Sequence, residues 1–160
     1  MIEPQIRPAL ADDVDSLGRL GALLVQEHHD FDGRRFLPAA ANTPELYGSF
    51  LRTQLTDPDG VVLVAEHEGR VIGYAYGTIE GYDFMALRGP AAVVHDLIVD
   101  AEYRGRGVGR SLLIAIITAL SSHRVPRVVL STAERNTSAQ RFFEGMGFRR
   151  TMVEMTRELE

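Results

Sequence analysis

The segment that most restricts what this chain can fold into runs from Val93 to Arg110. An apolar, β-branched stretch, Val93-Val94-His95-Asp96-Leu97-Ile98-Val99, has strand composition. It is followed by Tyr103-Arg104-Gly105-Arg106-Gly107-Val108-Gly109-Arg110, with glycine at every second position. Val108, Leu112, Ile116 and Leu120 then recur four apart, which predicts an amphipathic helix over 107–123. Residues 127–131 read as a second buried strand. A strand, a helix and a further strand in this order predict a right-handed parallel crossover. Glycines at the strand-to-helix turn let the backbone approach a ligand closely. The unpaired N–H groups of the first helical turn favour an anion there. Arg104, Arg106 and Arg110 add positive charge beside them. The spacing is not the G-x-G-x-x-G of dinucleotide folds, and no Gly-Lys-Ser/Thr follows as in a P-loop. Taken alone, such a turn also fits tight packing with no ligand.

The remaining elements are read from periodicity and turn signals. Residues 5–9 predict a first strand. Leu17, Leu20 and Leu24 predict a helix ending near 28–31, with acids at Asp12 and Asp13 at its start. Thr43-Pro44-Glu45 opens a second helix. Asp57-Pro58-Asp59-Gly60 is a turn. Residues 61–66 and 71–79 then predict a hairpin, 81–90 a loop and 91–99 the central strand. Residues 137–146 predict a short helix, and 148–158 a closing strand. The mixture predicts an α/β (α+β) fold with helices on both faces of one sheet.

At 160 residues and 45% apolar composition, the chain suits a single domain, 1–160, with its own core. Its 17 basic and 22 acidic residues give a formal charge of −5, which argues against nucleic acid and favours a cationic partner. Without cysteine there is no disulfide, thiolate nucleophile or thiolate metal site. The N-terminus has no signal-peptide pattern and no apolar run is long enough to span a bilayer, so a cytoplasmic protein without membrane association is expected.

A second segment, Asn136-Thr137-Ser138-Ala139-Gln140-Arg141-Phe142-Phe143-Glu144-Gly145-Met146-Gly147-Phe148, sharpens the interpretation. Together with Arg104, Gly107 and Gly109 it resembles the GNAT acyltransferase superfamily. That family has Arg/Gln-x-x-Gly-x-Gly/Ala after a strand, then downstream an Asn, an Ala three residues on, an aromatic pair and Gly-Phe. The resemblance implies a mostly antiparallel central sheet with one splayed parallel strand pair, and acetyl-CoA as cosubstrate. It places the pantetheine arm against Leu97, Ile98 and Val99. The diphosphate would lie on the amides of Arg104, Gly105, Arg106, Gly107, Val108, Gly109 and Arg110. Asn136, Ala139 and Phe143 would flank the arm from the other side. Phe142 is expected in the core.

The implied reaction is attack of a primary amine, from a small molecule or a peptide, on the thioester in a ternary complex. A non-catalytic acyl-CoA sensor on the same fold is the alternative. Strict alternation along 93–99 puts Val93, His95, Leu97 and Val99 on one face and Val94, Asp96 and Ile98 on the other. Since histidine changes charge near neutral pH, His95 is the expected base. It is equally open to a structural role, and Asp96 is its rival, as base, as loop anchor or as a contact for the substrate's cation. Many family members carry Tyr as the second aromatic, to protonate the leaving thiolate, where this chain has Phe143. Tyr74, Tyr76, Tyr82, Tyr103 or water are then the remaining donors, or the thiolate leaves unassisted. Residues 27–31, Tyr47 and 82–84 are expected at the acceptor pocket. Adjacent His28 and His29 diverge on a helix, which disfavours a metal site there. The alternating run 151–156 makes a homodimer through strand pairing a further expectation.

Overall fold

The computed structural model describes residues 1–159. Strand β1 (Gln5–Pro8) leads through a 3₁₀ turn at Ala11–Asp13 into helix α1 (Val14–Phe31) and helix α2 (Thr43–Gln54). Strands β2 (Gly60–His67), β3 (Arg70–Glu80) and β4 (Ala91–Val99) follow. Next come helix α3 (Val108–Ser121), strand β5 (Val128–Leu130) and helix α4 (Thr137–Gly145). The strands form one sheet in sequence order. The β1–β2, β2–β3 and β3–β4 pairs are antiparallel, and β4–β5 is parallel. The predicted fold class and the strand-helix-strand crossover are both present.

The sheet separates two apolar clusters. On one face α3 buries Val108, Leu112, Leu113, Ile116 and Leu120 against Leu63, Ala65, Ile72, Ala75, Ala92 and Val94. On the other, Leu17 and Leu20 of α1 and Leu51 of α2 pack on Val62, Val64, Val71, Tyr74, Tyr76 and Ile98. Burial of each such Leu or Ile contributes about 1.5–3 kcal/mol, which is why the i, i+4 stripe of α3 decides its docking.

The strand expected over 148–158 is absent: residues 148–159 hold no helix or strand, and Met152, Val153 and Met155 are exposed. Alternation there places Met152 on one side and Val153 and Met155 on the other, so neither side is apolar enough to select a register. Side chains tie the segment down instead. Arg35 pairs with Glu154, and Arg150 bonds Glu144 and Gln140, each at 2.9 Å.

Asp100 fixes the end of β4 to α1 and β3. Its carboxylate accepts from Arg19 at 2.9 Å and from Arg70 at 3.1 Å. Burial alone would raise its pKa, but hydrogen bonding and charge from Arg19 outweigh this and hold it below the ordinary value. A carboxyl so depressed stabilises the fold above the unfolded pKa, and that stability is lost as pH falls through the folded value. Asp100→Asn is therefore expected to cost about 1–2 kcal/mol at neutral pH. Wild type and variant should converge at strongly acid pH, as read by urea denaturation.

Candidate active site

β4 and β5 pair only at Ala92–Val128, Val93–Val129 and Val94–Leu130. β5 then ends while β4 continues to Val99, so the strands part and leave a cleft. Val94, Leu97, Ile98, Leu130, Ser131 and Thr132 line its floor and sides. Asn136, Ala139 and Phe143 close it from α4, and Glu27, His28 and Phe31 from α1. His95 also lines it.

At one end of the parting lies the glycine turn. Gly105 and Gly107 have φ of +71° and +91°, a left-handed backbone that side chains rarely adopt. Gly107 caps α3, and the first helical bond runs from Ser111 N–H to Gly107 C=O at 3.1 Å. The amides of Val108, Gly109 and Arg110 therefore precede the helical ladder and remain available as donors. A Cβ at Gly105 would meet nothing within 4 Å and one at Gly109 only Val99 Cγ2 at 3.7 Å, but at Gly107 it would lie 2.6 Å from Met1 Cε, and Ile2 N–H donates to Arg106 C=O at 3.2 Å. Unpaired amides and neighbouring arginines fit a diphosphate, with the flexible Met1 side chain the group it would displace at Gly107. Arg104 Nε donates to Val99 C=O at 2.9 Å, and its guanidinium pairs with Glu27. Arg106 lies over the Tyr103 ring at 5.9 Å, while Arg110 leans toward Met146, just past the end of α4.

On the far side Asn136 caps α4, its Oδ1 accepting from Ala139 N–H at 3.1 Å. Its side-chain NH₂ is thus the group left for a ligand. Phe142 and Phe143 pack against each other, with centroids 5.3 Å apart, and both border the α3-side core. Tyr74, Tyr76, Tyr82 and Tyr103 do not line the cleft. Tyr74 is buried and Tyr76 donates to Gln54 at 2.9 Å.

The structure corrects the assignment of faces along β4. Tyr76 pairs with Asp96 but Gly77 with Val94, so His95 is an extra residue in a β-bulge. The bulge resets the alternation. Leu97 and Val99 join Val94 on the α3 side, and His95 turns to the α1/α2 side with Asp96 and Ile98. There His95 stacks on Tyr76, with centroids 5.1 Å apart and planes at 26°. Its Nε2 is 2.8 Å from Thr78 Oγ1 and 3.4 Å from Glu80 Oε1. Thr78 and Glu80 escaped the sequence analysis. The signal was available, because the two-residue period of β3 puts Tyr74, Tyr76, Thr78 and Glu80 on one face.

Asp96 lies under α2 and is only 7% exposed. It accepts from Tyr47 at 2.6 Å and Tyr74 at 2.8 Å. Tyr47 reaches it because α1 has glycine at position 21, where a Cβ would lie 2.2 Å from the Tyr47 ring. Burial pushes the Asp96 carboxyl up, while the two phenols pull it partly back. Of the roles open to it from sequence, Asp96 has the geometry of an anchor. Tyr47→Phe removes a bond to a charged acceptor and is expected to cost about 1.5–3 kcal/mol at neutral pH. A folded pKa above the unfolded one makes this carboxylate a burden that grows as pH rises through the folded value. The Tyr47→Phe penalty should therefore shrink as pH falls through the folded value, in urea titrations across the acid range.

Comparison with known proteins agrees with this geometry. Over 103 residues the chain is 37% identical to a mycothiol acetyltransferase of Thermobispora bispora, covering 62% of this chain and 33% of that protein. The chain thus spans about a third of the length of that relative. A solved structure of a mutant protein from Bacillus halodurans superimposes with a TM-score of 0.84 at 26% identity, covering 100% of both chains. An aminoglycoside N-acetyltransferase solved with CoA shares the fold, with a TM-score of 0.73 at 17% identity, over 98% of this chain and 95% of that one. The profile of the Acetyltransferase (GNAT) family matches residues 24–148, which include every cleft residue named above, the end of α1 and all of α4, and the chain belongs to that family.

Proposed function

We propose that this chain transfers an acetyl group from acetyl-CoA to a primary amine. The observation that carries the proposal is the run of unpaired amides from Gly105 to Arg110, shaped by two left-handed glycines at the mouth of the parted β4–β5 pair. A diphosphate on those amides lets the pantetheine arm run along Leu97 to Val99, with Asn136 and Phe143 opposite. Part of the strand edge is already used, because Val99 C=O is taken by Arg104. The acetyltransferase names of the relatives support the acetyl donor. The acceptor side carries the His95 ring together with the carboxylates of Glu27 and Glu80, each already paired with an arginine, so the fit to an amine rests on His95.

In this proposal His95 receives the amine proton as nitrogen attacks the acetyl carbonyl carbon. The C–N bond forms, the C–S bond breaks, and CoA leaves as the thiolate. Phe143 has no proton to give. A thiol of pKa about 8.5 is an adequate leaving group without one. Holding both reactants in one cleft supplies the largest part of the acceleration.

Gly107→Val forces a β-branched residue into a left-handed backbone, a strain of about 1–3 kcal/mol that moves the amides. It is expected to weaken CoA binding at least ~10-fold in calorimetry, each such factor being about 1.4 kcal/mol, with the melting transition retained. Unchanged affinity would count against the cradle. Mass spectrometry of acetyl-CoA with a polyamine, an aminoglycoside, an amino sugar and a lysine peptide tests the reaction itself. CoA binding with no acetylated product from any of them would favour a sensor.

A further inference from the structure

The bulge that turns His95 toward α1 and α2 places it at the end of a chain of polar groups on β3 to which the transfer reaction gives no role. Arg88, from the loop before β4, pairs with Glu80 Oε2, and its side chain is 14% exposed. The other carboxylate oxygen, Oε1, is 3.2 Å from Thr78 Oγ1 and 3.4 Å from His95 Nε2. Thr78 Oγ1 and His95 Nε2 are 2.8 Å apart.

The directions of these bonds follow from what each atom can do. The single Thr78 hydroxyl proton serves either Glu80 Oε1 or Nε2, and since a carboxylate oxygen only accepts, every contact is satisfied when it goes to Glu80. The hydroxyl then turns a lone pair toward Nε2, and Nε2 must carry hydrogen. The reverse tautomer would set a ring lone pair beside a carboxylate oxygen, which is repulsive. Nδ1 therefore holds the ring's lone pair, and it has no hydrogen-bond partner among the described residues. Stacking on Tyr76 fixes the ring plane. Arg88 keeps the carboxylate from swinging into solvent.

We infer that Glu80, acting through Thr78, is a positioning residue that locks His95 in the Nε2–H tautomer and so makes Nδ1 the atom that accepts the proton of the amine. This rests on His95 being the proton acceptor of the proposed reaction. As nitrogen bonds to the acetyl carbon and the thiolate departs, one amine proton passes to Nδ1. The imidazolium so formed already points its Nε2–H at the Glu80 side, where the negative charge stabilises it. Water then takes the proton from Nδ1, restoring the neutral ring. The arrangement has the logic of a base oriented by a third group.

Two-bond ¹H–¹⁵N correlation spectra of histidine-labelled protein, recorded at mildly alkaline pH, read the tautomer directly. His95 is assigned by the signals lost in His95→Gln. The wild type is expected as Nε2–H, with Glu80→Gln and Thr78→Val shifting population toward Nδ1–H. In both variants kcat/KM for the amine that gives product in the panel should fall on the order of tenfold, within the range of proton-transfer effects. The Kd for CoA should stay within about twofold, since neither side chain belongs to the cradle, and a twofold change is only ~0.4 kcal/mol. An Nδ1–H wild type, or the same tautomer in all three proteins, overturns the inference. If Glu80→Gln fails to fold, Thr78→Val alone decides it. His95→Gln with undiminished turnover brings down the assignment of His95 itself. His95→Gln without turnover, beside an unchanged tautomer in the variants, brings down only the role given to Glu80.

Discussion

The site depends on one backbone event, the insertion of an extra residue into β4 at His95. β4 and β5 are in register through Val94 and Leu130, and the bulge follows at the next residue. Up to that point Val93 and Val94 sit in a paired strand. Beyond it, Leu97 to Val99 keep β3 on one side and have an open edge on the other. A sheet cannot leave such an edge in its interior without something else to satisfy it. In this chain the cleft is that interruption, and the residues gathered around it come from four separate elements.

The extra residue also sorts chemistry from packing. Alternation counted back from Leu97 and Val99 would put His95 on the α3 side, and the extra residue reconciles that half of the strand with Val94. With it, the ring meets Thr78, Glu80 and Tyr76, and Asp96 takes its place beneath α2. Buried polar groups are tolerated where their bonds are made. Asp96 with two phenols and Asp100 with two guanidiniums both satisfy that rule.

Much of this was legible in the residues themselves. The glycines at 105 and 107 and the four-residue stripe of α3 mark the turn and the helix it opens, because left-handed backbone and helix period leave compositional traces. The family motif at Asn136 and Ala139 falls on the α4 cap, with Asn136 Oδ1 bound to Ala139 N–H. The bulge left no such trace, since Val-Val-His-Asp-Leu alternates equally well with or without an inserted residue. The partnership of His95 with Glu80 depends on strand register across the 81–90 loop, which local patterning does not carry. The tail failed as a strand for the opposite reason: its alternation was real, but no side of it was apolar enough to be buried.

The two clusters on opposite faces of the sheet share no side chain, because β2 and β3 direct alternate residues to each. Distant sites of this kind respond to substitution nearly independently. The α3 core can stay constant while the loops around α1 and α2 are exchanged, with Glu27 of α1 held by its pair with Arg104 of the glycine turn. A protein so partitioned can alter the chemistry of one surface by drift while the packing behind the other stays intact.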